Sequence, residues 1–127
     1  MIAQGRGGKI INIASIYAIF GPPDIAEYAA AKSGLLGLTR ALAVELASHD
    51  IQVNGILPGY FETDMANGMP RGLRSDIRRK TPAGRWGQPN DLVGTVVYLA
   101  SSGSDFVTGA SITVDGGYAV ADRFVAE

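Results

Sequence analysis

An α/β fold built on a parallel sheet is the class this sequence predicts, and three observations carry it. The run Lys9 to Ala14 is short, β-branched and nearly continuous in apolar character, as a strand buried on both faces is, and Ile51 to Leu57 reads as a second strand. A long helical pattern, Ile25 to Ser48, lies between them, and a second helix follows the second run. A third short run, Gly109 to Val114, closes a strand–helix–strand–helix–strand order, the βαβαβ unit of parallel sheets.

Met1 to Gly8 reads as a frayed end, because Gly5, Gly7 and Gly8 break any helix. After the first strand, Gly21-Pro22-Pro23-Asp24 is a turn, and Asp24 is placed to cap the helix beyond it. In that helix Tyr28, Ala31, Leu35, Leu38, Leu42 and Leu46 recur at steps of three and four, which predicts one buried stripe. Ala29, Ala30 and Gly34 keep part of its surface small. The second strand ends at Pro58-Gly59. Tyr60 to Pro70 has the composition of a mobile loop, and Arg71 to Lys80 is expected to be a short polar helix.

Thr81 to Pro89 is a rigid, turn-rich connector. Asn90 or Asp91 is expected to cap a helix reaching about Ser101, with Leu92, Val96 and Leu99 on one face. Asp115-Gly116-Gly117 closes the last strand, and the tail to Glu127 carries no assignment.

Composition excludes several chemistries. A chain of 127 residues has a single-domain length, and 46% hydrophobic with 18% charged residues is ordinary for a globular protein. A net charge of −1 argues against nucleic acid as the main partner, since no face can neutralise many phosphates. The one basic cluster, Arg71, Arg74, Arg78, Arg79 and Lys80, is expected to be the solvated side of a surface helix.

There is no cysteine, so disulfides, thiolate metal sites and thiol catalysis are out. The single histidine, His49, cannot build a metal site, and none is expected. Adjacent Ser48-His49-Asp50 is not a triad, whose groups converge from separate elements. No apolar run approaches the ~20 residues of a membrane span. The start lacks the apolar segment of a signal peptide, and a cytoplasmic location is the expectation.

The chemistry concentrates between Ser15 and Lys32. Tyr28 and Lys32, four apart, are neighbours on one helix face, and Ser15 ends the first strand. A phenol is a poor base near neutrality, and lowering its pKa by about 3 units takes roughly 4 kcal/mol of preference for the phenolate. An ammonium about 4 Å away supplies that at an effective dielectric near ~20. With a serine donating to the same substrate oxygen, the set suits the proton exchange that accompanies hydride transfer. Spacing alone leaves open that Tyr28 is core, Lys32 a surface side chain and Ser15 a turn residue.

The surrounding residues are more specific. Asn12-Ile-Ala-Ser15, then Tyr28-Ala-Ala-Ala-Lys32, then Asn54-Gly-Ile-Leu-Pro58-Gly59 with Thr63, and finally Val114-Asp115-Gly116-Gly117 resemble the short-chain dehydrogenase/reductase family in order and spacing. The resemblance runs from about Gly7 to Tyr118, and Thr81-Pro-Ala-Gly-Arg-Trp-Gly87 looks most like the gluconate 5-dehydrogenase and deoxygluconate dehydrogenase group.

The resemblance implies a Rossmann-like fold, NAD or NADP as cofactor and a small polar alcohol or carbonyl substrate, such as a sugar acid. It implies that Ser15 positions the carbonyl, that Tyr28 is the acid/base, and that Lys32 binds the nicotinamide ribose and lowers the pKa of Tyr28. Pro58 and Gly59 would line the nicotinamide pocket, and Thr63 would contact the cofactor's amide or phosphates. The segment from Tyr60 to Lys80 would be the substrate loop.

The glycine-rich turn that holds the pyrophosphate follows a strand in such folds, whereas Gly5 to Gly8 precede one. The family's upstream asparagine is also missing, so the chain is expected to correspond to the C-terminal half of the Rossmann domain. Right-handed crossovers would put its main helices on one face of a three-stranded sheet. The other face and the Lys9 to Ala14 edge would then lie open, which parallel sheets rarely tolerate. Folding with help, as a homo-oligomer or with a separate N-terminal piece, is expected. Three readings follow: an oxidoreductase, a non-catalytic remnant that keeps oligomer-forming surfaces, or a piece of an intact enzyme.

Overall fold

The computed structural model describes residues 1–122. Three strands, β1 (Gly8–Ile13), β2 (Ile51–Pro58) and β3 (Ser111–Val114), form one sheet in the order β1-β2-β3 with both pairings parallel. Gly8 faces Ile51 and Ile13 faces Ile56 in the first pairing; Gly55 faces Ser111 and Pro58 faces Val114 in the second. The central strand β2 is buried from Ile51 to Leu57, Gln52 and Asn54 included, as a strand covered on both faces is. Pro58, which has no N–H to give the ladder, sits at the strand's last position, and the Gly59 N–H takes over by donating to the Val114 carbonyl (3.0 Å).

The long helix α1 (Ala26–Leu46) covers one face of the sheet. Ile10, Ile51 and Val53 meet Leu42, Ala43 and Leu46 there, while Ala14 and Leu57 meet Leu35 and Leu36 nearer the strand ends. The expected stripe is the inward face only in part: Leu35, Leu42 and Leu46 pack on the sheet, half-buried. Leu36, Thr39 and Ala43 are the buried positions, whereas Tyr28 and Leu38 are 40% and 49% exposed and Ala31 is exposed too. Apolar and small residues ring α1 on nearly all sides, so periodicity does not define which face turns inward. Packing does.

Thr39 is accommodated in that core because its hydroxyl donates to the Leu35 carbonyl (2.7 Å) and accepts from the Asn12 amide (2.9 Å). Asp24 does not cap α1: it sits in the preceding turn at φ 64°, and Ile25 occupies the cap position with no side-chain bond. After α1 a turn of 3-10 helix, Ala47–His49, ends at Asp50 in the left-handed region, leaving His49 exposed as expected.

The opposite face corrects the one-sided arrangement. Helix α4 (Val93–Ala100) packs on β1, with Leu99 wholly buried. Lys9, which alternates to the side away from α1, pairs with Asp105 just beyond α4 (2.7 Å). On the same side Asn54 donates to the Val107 carbonyl (2.7 Å) and accepts from the Ala110 N–H (3.0 Å), docking the approach to β3. Helices therefore flank the sheet on both sides. The long segment 59–110 carries α4 to the face opposite α1, against the one-sided placement that right-handed crossovers predict.

That segment is more ordered than its composition suggests. It contains α2 (Asp64–Asn67) and α3 (Arg71–Lys80). Phe61 bridges to Gly87, with Gly87 N–H donating to the Tyr60 carbonyl and Glu62 N–H to the Gly87 carbonyl (both 2.9 Å). Arg74 departs from the solvated face expected of the basic cluster. Its guanidinium donates to Glu62 (2.5 Å) and the Ala66 carbonyl (2.7 Å) and lies over the Trp86 ring, 4.6 Å from the centroid. Trp86 returns an indole N–H bond to the Arg74 carbonyl (3.1 Å).

The cap before α4 also differs. A 3-10 turn, Pro89–Leu92, precedes the helix, Gln88 is its cap residue, and the Asp91 carboxylate accepts from the Gln88 N–H (2.7 Å). After β3, Asp115 accepts from the N–H groups of Gly117 (2.8 Å) and Ala119 (2.7 Å), folding Tyr118–Val120 back as a single turn. The last part of the unassigned tail, 123–127, lies outside the described residues.

Candidate active site

In an open parallel sheet the ligand crevice lies beyond the carboxyl ends of the strands, because the chain leaves each strand there in a loop free to carry chemistry. The expected residues gather at that end. Ser15 follows β1 and is buried; its hydroxyl oxygen accepts from the Tyr17 N–H (3.1 Å) as a short 3-10 turn, Ile16–Ala18, begins. One lone pair of Ser15 is occupied by the backbone, and its O–H proton remains available to donate.

Lys32, on the second turn of α1, donates to the Ile13 carbonyl (3.0 Å) at the end of β1. Its ammonium also stands 5.6 Å from the centroid of the Tyr28 ring, one turn earlier on the same face. Tyr28 is held from the other direction by Tyr17, whose ring meets it edge-on at 6.2 Å. The pair is thus tied to the strand end through Ile13, two residues before Ser15. Among the described residues no hydrogen bond joins Ser15 to Tyr28, which leaves both hydroxyls free for a third party.

Pro58 and Gly59 are half-buried at the end of β2. Gly59 is required by close approach: a Cβ there would stand 2.6 Å from the Cβ of Asp115. Thr63 stands apart from the others, exposed at the head of α2 with no capping bond from its side chain.

Beside these lies a cluster that the sequence reading did not single out. The Tyr17 ring packs edge-on against Phe20 (5.4 Å) and Tyr60 (6.0 Å), and Tyr60 against Trp86 (5.5 Å) and Tyr118 (4.9 Å). Phe20 and Tyr118 close the ring of contacts at 6.0 Å. The hydroxyls of Tyr17 and Tyr60 are hydrogen-bonded to each other. Burial pushes the Tyr60 phenol well above the ordinary tyrosine range, and the bond to Tyr17 and the nearby Tyr118 add to the effect. Lys80, at the end of α3, lies over the Tyr118 ring (4.8 Å).

A signal for this cluster was present in the chain. Tyr17, Tyr60 and Tyr118 each follow closely on a strand, where parallel sheets place their ligands. Of the five tyrosines, only Tyr98 on α4 lies away from this end.

Known proteins agree with the motif-based expectation. A family model described as enoyl-(acyl carrier protein) reductase matches residues 1–119. The chain is 51% identical over 123 residues to 2-dehydro-3-deoxy-D-gluconate 5-dehydrogenase of Escherichia coli K12, covering 92% of this chain and 47% of that protein. It is 40% identical over 120 residues to a 3-oxoacyl-[acyl-carrier-protein] reductase of Thermotoga maritima, covering 94% and 48%.

The crystal structure of a gluconate 5-dehydrogenase from Burkholderia cenocepacia J2315, in complex with NADP and tartrate, superposes with a TM-score of 0.91 at 43% identity, over 94% of this chain and 48% of that one. The chain spans about half the length of the curated relatives it matches. The likeness to the gluconate 5-dehydrogenase and deoxygluconate dehydrogenase group is borne out by these matches. With its α/β fold, parallel sheet and ordered motifs matched along 1–119, the chain belongs to the short-chain dehydrogenase/reductase family.

Proposed function

We propose that this chain is the acid/base-bearing, C-terminal half of an NAD(P)-dependent dehydrogenase/reductase that interconverts an alcohol and a carbonyl on a small sugar acid. The observation that carries the reading is the tether of Lys32 to the Ile13 carbonyl, which sets an ammonium beside Tyr28 at the strand end that also bears Ser15. In the reductive direction Tyr28 gives its phenolic proton to the carbonyl oxygen, and Ser15 donates a hydrogen bond to the same atom. The Lys32 charge steadies the phenolate left behind.

The residues fit the nicotinamide–ribose end of a dinucleotide. Lys32 commits one N–H to Ile13 and keeps two for ribose hydroxyls. Pro58 and Gly59 offer a half-buried wall with little side chain, and Thr63 an exposed hydroxyl. When bound, the dinucleotide supplies or accepts the hydride.

The test is NADPH formation from NADP and D-gluconate by this chain, beside its Tyr28→Phe variant. Turnover that falls by a factor of ~100 or more in the variant, with binding intact, is the expected result. A variant as active as the parent removes Tyr28 from the reaction and the reading with it.

A non-catalytic, oligomer-forming role is the second reading, and one observation favours it. Val44 is 83% exposed, Val97 is 60% exposed and Phe106 is fully exposed, apolar side chains that a second copy would cover. The two readings are compatible if the chain works as a homo-oligomer, which is the state we propose for it.

A further inference from the structure

The hydroxyl pair Tyr17–Tyr60 has no part in the acid/base set, yet it lies one ring away from Tyr28. Each phenol carries one donor proton and can also accept. Two hydroxyls bonded to each other use one proton between them, so one O–H always remains over. An open chain of three, with Tyr118 included, behaves in the same way: two bonds, one proton left. The rings of Phe20, Trp86 and Tyr118 pack around the pair, which stays half-buried, so the spare O–H is within reach of a bound ligand. Tyr60, its phenol pKa pushed up by burial, acts as a neutral donor and not as a charge.

We propose that the Tyr17–Tyr60 pair is the specificity element of the site, binding a hydroxyl of a polyhydroxylated acid next to the reacting carbon. The inference rests on the oxidoreductase reading and names what that reading leaves open: how a polyol is told from an acyl chain. That choice is a real one in this family, whose members similar to this chain include both a deoxygluconate dehydrogenase and a 3-oxoacyl reductase.

The mechanism of discrimination is hydrogen-bond matching. A substrate with a hydroxyl at this point satisfies the spare O–H, while an aliphatic chain covers it and leaves it unpaired. Because the two phenols still satisfy each other in part, the selectivity expected is moderate, about tenfold.

Trp86, the single tryptophan, packs on Tyr60 at 5.5 Å and reports on the cluster through its fluorescence. The 127-residue chain is titrated with D-gluconate and with hexanoate, which have the same chain length and carboxylate and differ only in hydroxyls. Gluconate is expected to bind about tenfold more tightly. Tyr17→Phe and Tyr60→Phe combined in one chain remove the spare O–H, and should weaken gluconate about fivefold to tenfold while leaving hexanoate where it was. Either change alone frees the other phenol's O–H and should keep most of the preference. The double variant keeps both rings, and its circular dichroism and Trp86 emission report whether it folds.

Hexanoate binding as tightly as gluconate, no binding of either, or an unchanged preference in the folded double variant each overturns the proposal. Its failure is separable from that of the reading beneath it. Turnover with an unchanged preference in the double variant removes only the hydroxyl recognition. Hydroxyl-dependent binding without turnover removes only the oxidoreductase.

Discussion

Asp91 shows how a surface residue acquires a definite state from its neighbours. Bonds from Arg85 (2.6 and 3.0 Å), and then from the Gln88 N–H, lower its pKa from the ordinary carboxylate 3.8 to about 2. A carboxylate whose pKa falls on folding stabilises the protein above its unfolded value and loses that contribution as pH drops through the folded one. The turn before α4 should therefore hold down to about pH 2, and a carbon-detected titration of the Asp91 carboxyl checks this. A midpoint at 3.8 would mean the bonds to Arg85 and Gln88 do not form in solution. Asn54 is a second case. It is almost wholly buried, and both ends of its amide are used by backbone groups of the 107–110 turn. Asn54→Leu leaves the Val107 carbonyl and the Ala110 N–H without partners and should cost about 2 kcal/mol in urea unfolding.

At the scale of elements, the strand ends hold the site in register. Gly59 is the contact point between the end of β2 and the turn after β3, and its backbone lies where a methyl group would strike Asp115. Its φ is not in the left-handed region, so the demand for glycine is purely steric. Gly59→Ala should separate those ends at a cost of about 2 kcal/mol, read as a drop in thermal midpoint together with a change in Trp86 emission. The phase of α1 belongs to this scale as well. Its sequence supports several apolar stripes, and the sheet selects the one through Leu36, Thr39 and Ala43 because Asn12 offers Thr39 a partner there. Tyr28 is carried to the rim of the helix by that choice.

For the whole molecule, two-sided coverage of the sheet leaves β1 as an edge, with Ile13 48% exposed, and leaves Leu38, Val44 and Phe106 exposed. That much unpartnered apolar surface predicts self-association, with sedimentation velocity at micromolar concentration as the check. A dimer or larger species is expected; a well-folded monomer across that range would overturn the homo-oligomer. Much of the fold was legible in the chain for a simple reason. Buried parallel strands need continuous β-branched runs, and polar helices such as Arg71–Lys80 need none, so element type follows from local composition. Caps and loop order were less legible: Gln88, Asp91 and Arg74 find their roles through groups brought close only by packing.

By itself the sequence determined the strands, the helices, the family and the spacing of Ser15, Tyr28 and Lys32, because each depends on neighbours within a few residues or on motif order. The tertiary structure alone decided that helices cover both sheet faces, which side of α1 is buried, and that Tyr17, Tyr60 and Tyr118 meet. Those outcomes depend on groups far apart in the chain, where side-chain volume and hydrogen-bond matching leave few arrangements in which every buried polar group is satisfied.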